Sequence, residues 1–137
     1  MSDGFVSIAH TAGVHVVVTS PRPIGVDAEA DAPAEGIEAV ALHRAERAVV
    51  SRWREADRNH GVLEIWVAKE AALKLVGTGV RTAPESFVVR HADGWGVEPG
   101  VLSASPILIT PVEVPGYVVM LASHEPVRLA AEPRLCR

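Results

Sequence analysis

Asp27 and Glu29 stand two residues apart in the short segment from Ile24 to Glu29. On a strand, residues two apart share a face, so these carboxylates would lie side by side with Val26 and Ala28 turned the other way. Such a pair repels itself unless a cation lies between. Hard carboxylate oxygens suit Mg²⁺, which keeps several waters and shares its coordination with substrate phosphates. A charged strand end entering an acidic loop at Asp31 is the plainer explanation of the pair alone. Trp66, Glu70 and Lys74 follow at intervals of four, along one stripe of a helix. Glu before Lys at that spacing is also an ordinary helix-stabilising pair. Its flanks, however, are apolar nearly all round, from Val67 and Ala68 to Leu75 and Val76. A helix of that kind is largely buried, and a buried carboxylate needs an opposite charge or a metal. Lys74, or a metal shared with Asp27 and Glu29, would meet the need.

Lys69 and Lys74 are the only lysines among 13 basic residues, the rest being arginine. An ammonium is a compact point charge that can give up a proton, which a guanidinium cannot do. His10 beside Thr11, at the end of a strand, could hold a phosphate. The remaining histidines show no metal-ligand spacing. Gly77-Thr78-Gly79 follows a helix instead of leading into one, so it is no phosphate loop, and there is neither a nucleophile elbow nor a Cys-His arrangement.

Three short strands, at 5–9, 14–19 and 24–29, must place the first carboxylates. A turn containing Gly13 joins the first two, and Ser20-Pro21-Arg22-Pro23 joins the last two. A long helix is predicted from about Gly36 to Asp57, broken by Asn59-His60-Gly61. A second runs from about Val62 to Val76 and stops at Gly77. Strands are predicted at 86–91 and 94–98, separated by Ala92-Asp93, and again at 107–112 and 117–122. The pattern predicts one α+β domain over residues 1–124, with an antiparallel or mixed sheet and two main helices, followed by a frayed tail over 125–137.

Net charge is −4, which argues against general nucleic-acid binding. No apolar run approaches the roughly 20 residues of a membrane span, and the first residues lack a secretory pattern. The single Cys136 has no partner for an internal disulfide. The expectation is a cytoplasmic protein.

Ser7-Ile8-Ala9-His10-Thr11, then Gly25-Val26-Asp27-Ala28-Glu29, then Trp66-Val67-Ala68-Lys69-Glu70-Ala71-Ala72-Leu73-Lys74 with Gly77-Thr78-Gly79, resembles the signature order of the 4′-phosphopantetheinyl transferase superfamily. The resemblance is closest to the surfactin-synthetase-activating type, extends into Arg81 to Val89, and covers residues 6 to 123. Ala9 and Thr11 stand where that type has serines. Leu42 stands where it has an aromatic residue, with Glu46 in its glutamate place. Only the second of that type's two similar halves is matched.

The resemblance implies that Asp27, Glu29 and Glu70 hold Mg²⁺, with Mn²⁺ as the alternative ion. It implies that Lys74 contacts the pyrophosphate and the departing group, and that His10 binds a coenzyme A phosphate, with Thr11 and Lys69 counted among the coenzyme-binding residues. The implied reaction is attack of a carrier-protein serine on the β-phosphate of coenzyme A, with Glu70 as base and 3′,5′-ADP leaving. The implied partners are an acyl or peptidyl carrier protein, coenzyme A and further copies of the chain, as a dimer or trimer. A non-catalytic coenzyme-binding module and a subunit dependent on a second chain are the alternatives. Arg44, Arg47, Arg54 and Arg58 fall near one stripe of the predicted first helix, which could dock an acidic carrier.

Overall fold

The computed structural model describes residues 4–33, 36–77, 82–91 and 94–131. Strands β1 (Phe5–Thr11) and β2 (Val14–Ser20) form an antiparallel hairpin. Both residues of its turn have positive φ, Ala12 at 42° and Gly13 at 77°, as a tight hairpin of the favoured twist requires. Strand β3 (Gly25–Ala30) follows, then helices α1 (Ile37–Ala41), α2 (Arg44–Val50) and α3 (Glu55–Val76). Strands β4 (Trp95–Val97), β5 (Ile107–Val114) and β6 (Tyr117–Ser123) complete a four-stranded sheet in the order β3-β6-β5-β4, antiparallel throughout. The fold is α+β, as expected.

The sheet has two buried faces. Val118, Met120 and Ala122 of β6 join the helices in the larger core, while Val119 and Leu121 join Ala9, Val26 and Ala28 under the hairpin. Register puts Gly25, Asp27 and Glu29 opposite Ala122, Met120 and Val118, so the two carboxylates stand on the helix-facing side. Helix α3 presses directly on β3 there. A Cβ on Gly25 would lie 2.2 Å from the Ala71 carbonyl oxygen and 2.7 Å from the Leu75 nitrogen. Backbone on both sides leaves nothing to yield. Gly25→Ala is therefore expected to destabilise the fold by about 2–3 kcal/mol by overpacking. An unchanged chemical-denaturation midpoint would show that the helix does not sit on β3 this way.

The helices depart from the sequence expectation in an instructive manner. The long first helix is interrupted at Leu42, which is extended and fully buried. His43 then caps α2, its ring accepting from the Ala45 amide while Glu46 accepts from the His43 amide. The third helix begins at Glu55 and runs straight through Asn59-His60-Gly61. Gly61 does not break it, because a Cβ there would lie 2.3 Å from the Trp53 ring; the glycine lets that indole pack on the helix. Among the described residues there are thus one long α-helix and two short ones in place of two main helices.

The strand expected at 86–91 is also replaced. Pro84–Ser86 forms a 3₁₀ turn, and Arg90 alone bridges to Gly96. The Val89 amide donates to Glu46 and the Phe87 carbonyl accepts from Lys69, so side chains take up backbone groups that a ladder would have used. The expected turn Ala92-Asp93 lies outside the described residues, as does Cys136. Of the tail, residues 125–131 carry no helix or strand, yet Val127 packs under the sheet and Glu125 pairs with Arg22. Residues 132–137 lie outside the described residues. Among the described residues no helix is long and apolar enough to cross a membrane.

Candidate active site

Because Gly25 lets α3 close on β3, the side chains of Asp27 and Lys74 meet across that contact, and the charge of Glu70 on the same helix acts on Asp27. The Lys74 ammonium donates to Asp27 Oδ1 at 3.1 Å and to the Ile8 carbonyl of β1 at 3.2 Å. Asp27 is only 8% exposed, and its Oδ2 is buried with no hydrogen-bond partner. Burial pushes the Asp27 carboxyl up from 3.8 to about 6 against the pull of Lys74, and the Glu70 and Glu29 charges push the same way. The Glu70 carboxyl is raised as well, first by burial; Lys74 opposes this and Glu29 adds to it. The three carboxylates therefore feel one another, as the alternation on β3 and the spacing on α3 required.

Glu29 is steered by β1. The Thr11 hydroxyl donates to Glu29 Oε2 at 3.3 Å and accepts from the Ala30 amide at 3.2 Å. Ser7, four residues earlier on the same side of β1, accepts from the Val26 amide at 3.0 Å. These two hydroxyls satisfy amides along the free edge of β3, a task that residue period two made readable but that phosphate chemistry obscured. Ala9, between them, has no hydroxyl to offer.

Lys69 is brought elsewhere. It is 0% exposed, and its ammonium donates to the carbonyls of Ala41, Pro84 and Phe87 at 2.6, 2.9 and 2.7 Å and to Glu46 Oε1. Burial lowers its pKa from the ordinary lysine value, while Glu46 works in the other direction. Glu46 in turn accepts from the Val89 amide at 3.0 Å. This buried node ties the end of α1, the start of α2, α3 and the segment 84–89 together. Glu46 drew no role from the sequence, because a histidine cap hides the box of which it is part. His10 lies on the opposite side of β1 from Ser7 and Thr11, exposed.

The four arginines do not form one stripe. Arg44 and Arg47 lie in α2, Arg54 is the residue just before α3 and Arg58 lies in α3, with Arg47 donating to the Ala39 carbonyl and Arg58 forked onto Glu38. That fork lowers the Glu38 pKa and raises that of Arg58. Thr78, Gly79 and Arg81 lie outside the described residues. Among the described residues no three carboxylate, imidazole or thiol groups stand in a ready metal-binding arrangement, Lys74 being the cation beside Asp27.

No curated protein matches the chain in a sequence comparison. The family model of the 4′-phosphopantetheinyl transferase superfamily matches residues 23–107, which include Asp27, Glu29, Glu46, Lys69, Glu70 and Lys74. More than half of the chain is matched, and the protein belongs to that superfamily.

Proposed function

We propose that the protein transfers 4′-phosphopantetheine from coenzyme A to a serine of an acyl or peptidyl carrier protein in a Mg²⁺-dependent reaction. We further propose that it corresponds to the second half of the surfactin-synthetase-activating type. The observation that carries the reading is Asp27 Oδ2, a buried carboxylate oxygen without a partner, beside two more carboxylates and a lysine. Buried polar atoms in native folds are nearly always bonded, so an orphan at such a cluster marks a missing ligand. The donor set is all oxygen, and a divalent cation would relieve both the orphan and the mutual repulsion. The donor chemistry of Asp27, Glu29 and Glu70 suits such an ion, which would have to draw the three together and take the place of Lys74 beside Asp27. When bound, it supplies positive charge to the diphosphate of coenzyme A.

The chain's own groups do the rest. Glu70, with its pKa raised by burial, accepts the proton of the carrier serine as that oxygen attacks the β-phosphorus. The bond from that phosphorus to the bridging oxygen breaks, and 3′,5′-ADP leaves with the bonding pair. Lys74, its side chain 35% exposed at the edge of the site, offsets the charge that grows on the departing phosphate. Thr11 holds Glu29 toward the site, and His10 binds a coenzyme phosphate. Intact-mass measurement of apo carrier proteins incubated with coenzyme A and Mg²⁺ tests the reaction; a gain of one phosphopantetheine is expected, and a panel of unmodified carriers would refute it.

Lys74→Arg is expected to lower kcat/KM by about tenfold or more, since a flat fork does not reproduce a point charge held between Asp27 and the Ile8 carbonyl. Full activity in the arginine variant would remove Lys74 from the leaving-group role. We also propose that the protein acts as a homo-oligomer, with Val6 exposed on the hairpin as part of the surface a second copy would cover. Light scattering across a concentration series checks this; a monomer with full specific activity on dilution would rule it out.

A further inference from the structure

The outer face of the β1–β2 hairpin carries chemistry that the carboxylate site does not use. Register sets His10 opposite His15 and Ile8 opposite Val17, and period two puts all four side chains on one face. The two imidazoles meet edge to face with centroids 4.4 Å apart. Both are exposed, and neither has a hydrogen-bond partner among the described residues. The other histidines are occupied differently: His43 caps a helix, His60 contacts Asp31, His124 meets the Pro106 carbonyl, and His91 stacks on Trp95. Next to the histidine pair, Ile8 and Val17 are 47% and 58% exposed and form a small apolar floor. The face adjoins the carboxylate site, because Lys74 reaches the Ile8 carbonyl.

We propose that His15 joins His10 to clamp the phosphomonoester at the nucleotide end of coenzyme A, with the purine resting on Ile8 and Val17. This rests on the transferase reading, in which His10 meets a coenzyme phosphate; His15 and the apolar floor are what the hairpin register adds. An imidazole offers N–H donors in either protonation state, and a positive charge when protonated. Two protonated rings in contact repel each other, and a dianion bridging their exposed edges offsets that repulsion and accepts from both. A phosphomonoester carries that charge; a phosphodiester does not. The apolar floor favours a nucleotide over free phosphate.

The test is calorimetric binding of adenosine 3′,5′-bisphosphate, adenosine and inorganic phosphate to the full chain and to His10→Ala, His15→Ala and His15→Gln. The unaltered protein should bind the bisphosphate about tenfold or more tightly than either other ligand. Both His15 variants should lose about tenfold for the bisphosphate and change less than twofold for adenosine, with melting temperature unchanged. Equal losses for bisphosphate and adenosine, or no loss in the His15 variants, would overturn the clamp. Inorganic phosphate binding as tightly as the bisphosphate would overturn the nucleotide assignment. In turnover, His15→Ala should raise KM for coenzyme A and leave that for 3′-dephospho-coenzyme A alone. Tight, His15-dependent bisphosphate binding by a protein that modifies no carrier would sink the transferase reading and spare this one. Carrier modification with an unchanged coenzyme A KM in His15→Ala would do the reverse.

Discussion

Asp27→Asn and Glu70→Ala are each expected to cut phosphopantetheine transfer by about 10³-fold or more while the protein stays folded, and Asp27→Asn is expected to make it more stable. The activity loss follows from removing an oxygen that the proposed ion needs, worth several kcal/mol of charge stabilisation. The stability gain follows from burial. In the metal-free protein the Asp27 carboxyl is raised from 3.8 to about 6, chiefly by loss of water, despite Lys74. A raised carboxyl stabilises the fold in its protonated form. That contribution is fully present below pH 3.8 and is lost as pH rises to about 6. Above pH 6 the ionised Asp27 costs about 3 kcal/mol, the difference between the two pKa values expressed as free energy. Asparagine removes that cost and still offers Oδ1 to Lys74. Metal-free Asp27→Asn should therefore melt several degrees higher than the unaltered protein at pH 8, with the gap closing toward pH 4. Excess Mg²⁺ should raise the melting temperature of the unaltered protein and not that of the variant. A variant that is less stable at pH 8, or that keeps near-normal rates in excess Mg²⁺, would mean Asp27 is not a ligand waiting for an ion.

The carboxylate cluster was legible because each part of it obeys a local period. Asp27 and Glu29 share a strand face by alternation, Glu70 and Lys74 share a helix stripe by the four-residue repeat, and both periods survive in the fold. What joins the two elements was less visible. Gly25 reads only as one residue of a strand in sequence, yet its service is the missing Cβ that lets the Ala71 carbonyl approach. Gly61 misled, since glycine after Asn59 and His60 reads as a breaker and here makes room for Trp53. The helix break at Leu42 and the missing strand at 86–91 have one cause that no local pattern contains. Glu46 and Lys69 consume backbone partners from segments far apart in the chain, and only the tertiary fold brings them together. Lys69 was grouped with Lys74 by rarity, but 69 and 74 lie on different sides of α3, one aimed into the core and one at β3.

That node yields the largest expected loss of stability. Lys69 and Glu46 are a buried ion pair whose members are almost fully bonded: three carbonyls and a carboxylate around the ammonium, and the amides of His43 and Val89 at the carboxylate. Removing one partner of such a pair leaves the other charge or its acceptors stranded, at about 3–5 kcal/mol. Glu46→Ala should reach that range, because it also releases two buried amides and leaves only Glu85 to oppose burial in driving the proton from Lys69. Lys69→Met fills the same volume and strands only oxygens, so about 3 kcal/mol is expected. The double variant should cost less than the two single losses added together, because once one charge is gone its partner is worth less. Each single change should lower the melting temperature by roughly 10 °C in a chain of this length. The decisive readout is the coenzyme. A lysine that acts through the fold leaves KM for coenzyme A near normal in Lys69→Met, assayed well below its melting point. If Lys69→Met instead kept the melting temperature and raised that KM tenfold, the ammonium would belong to the substrate, and the node would have to open during turnover.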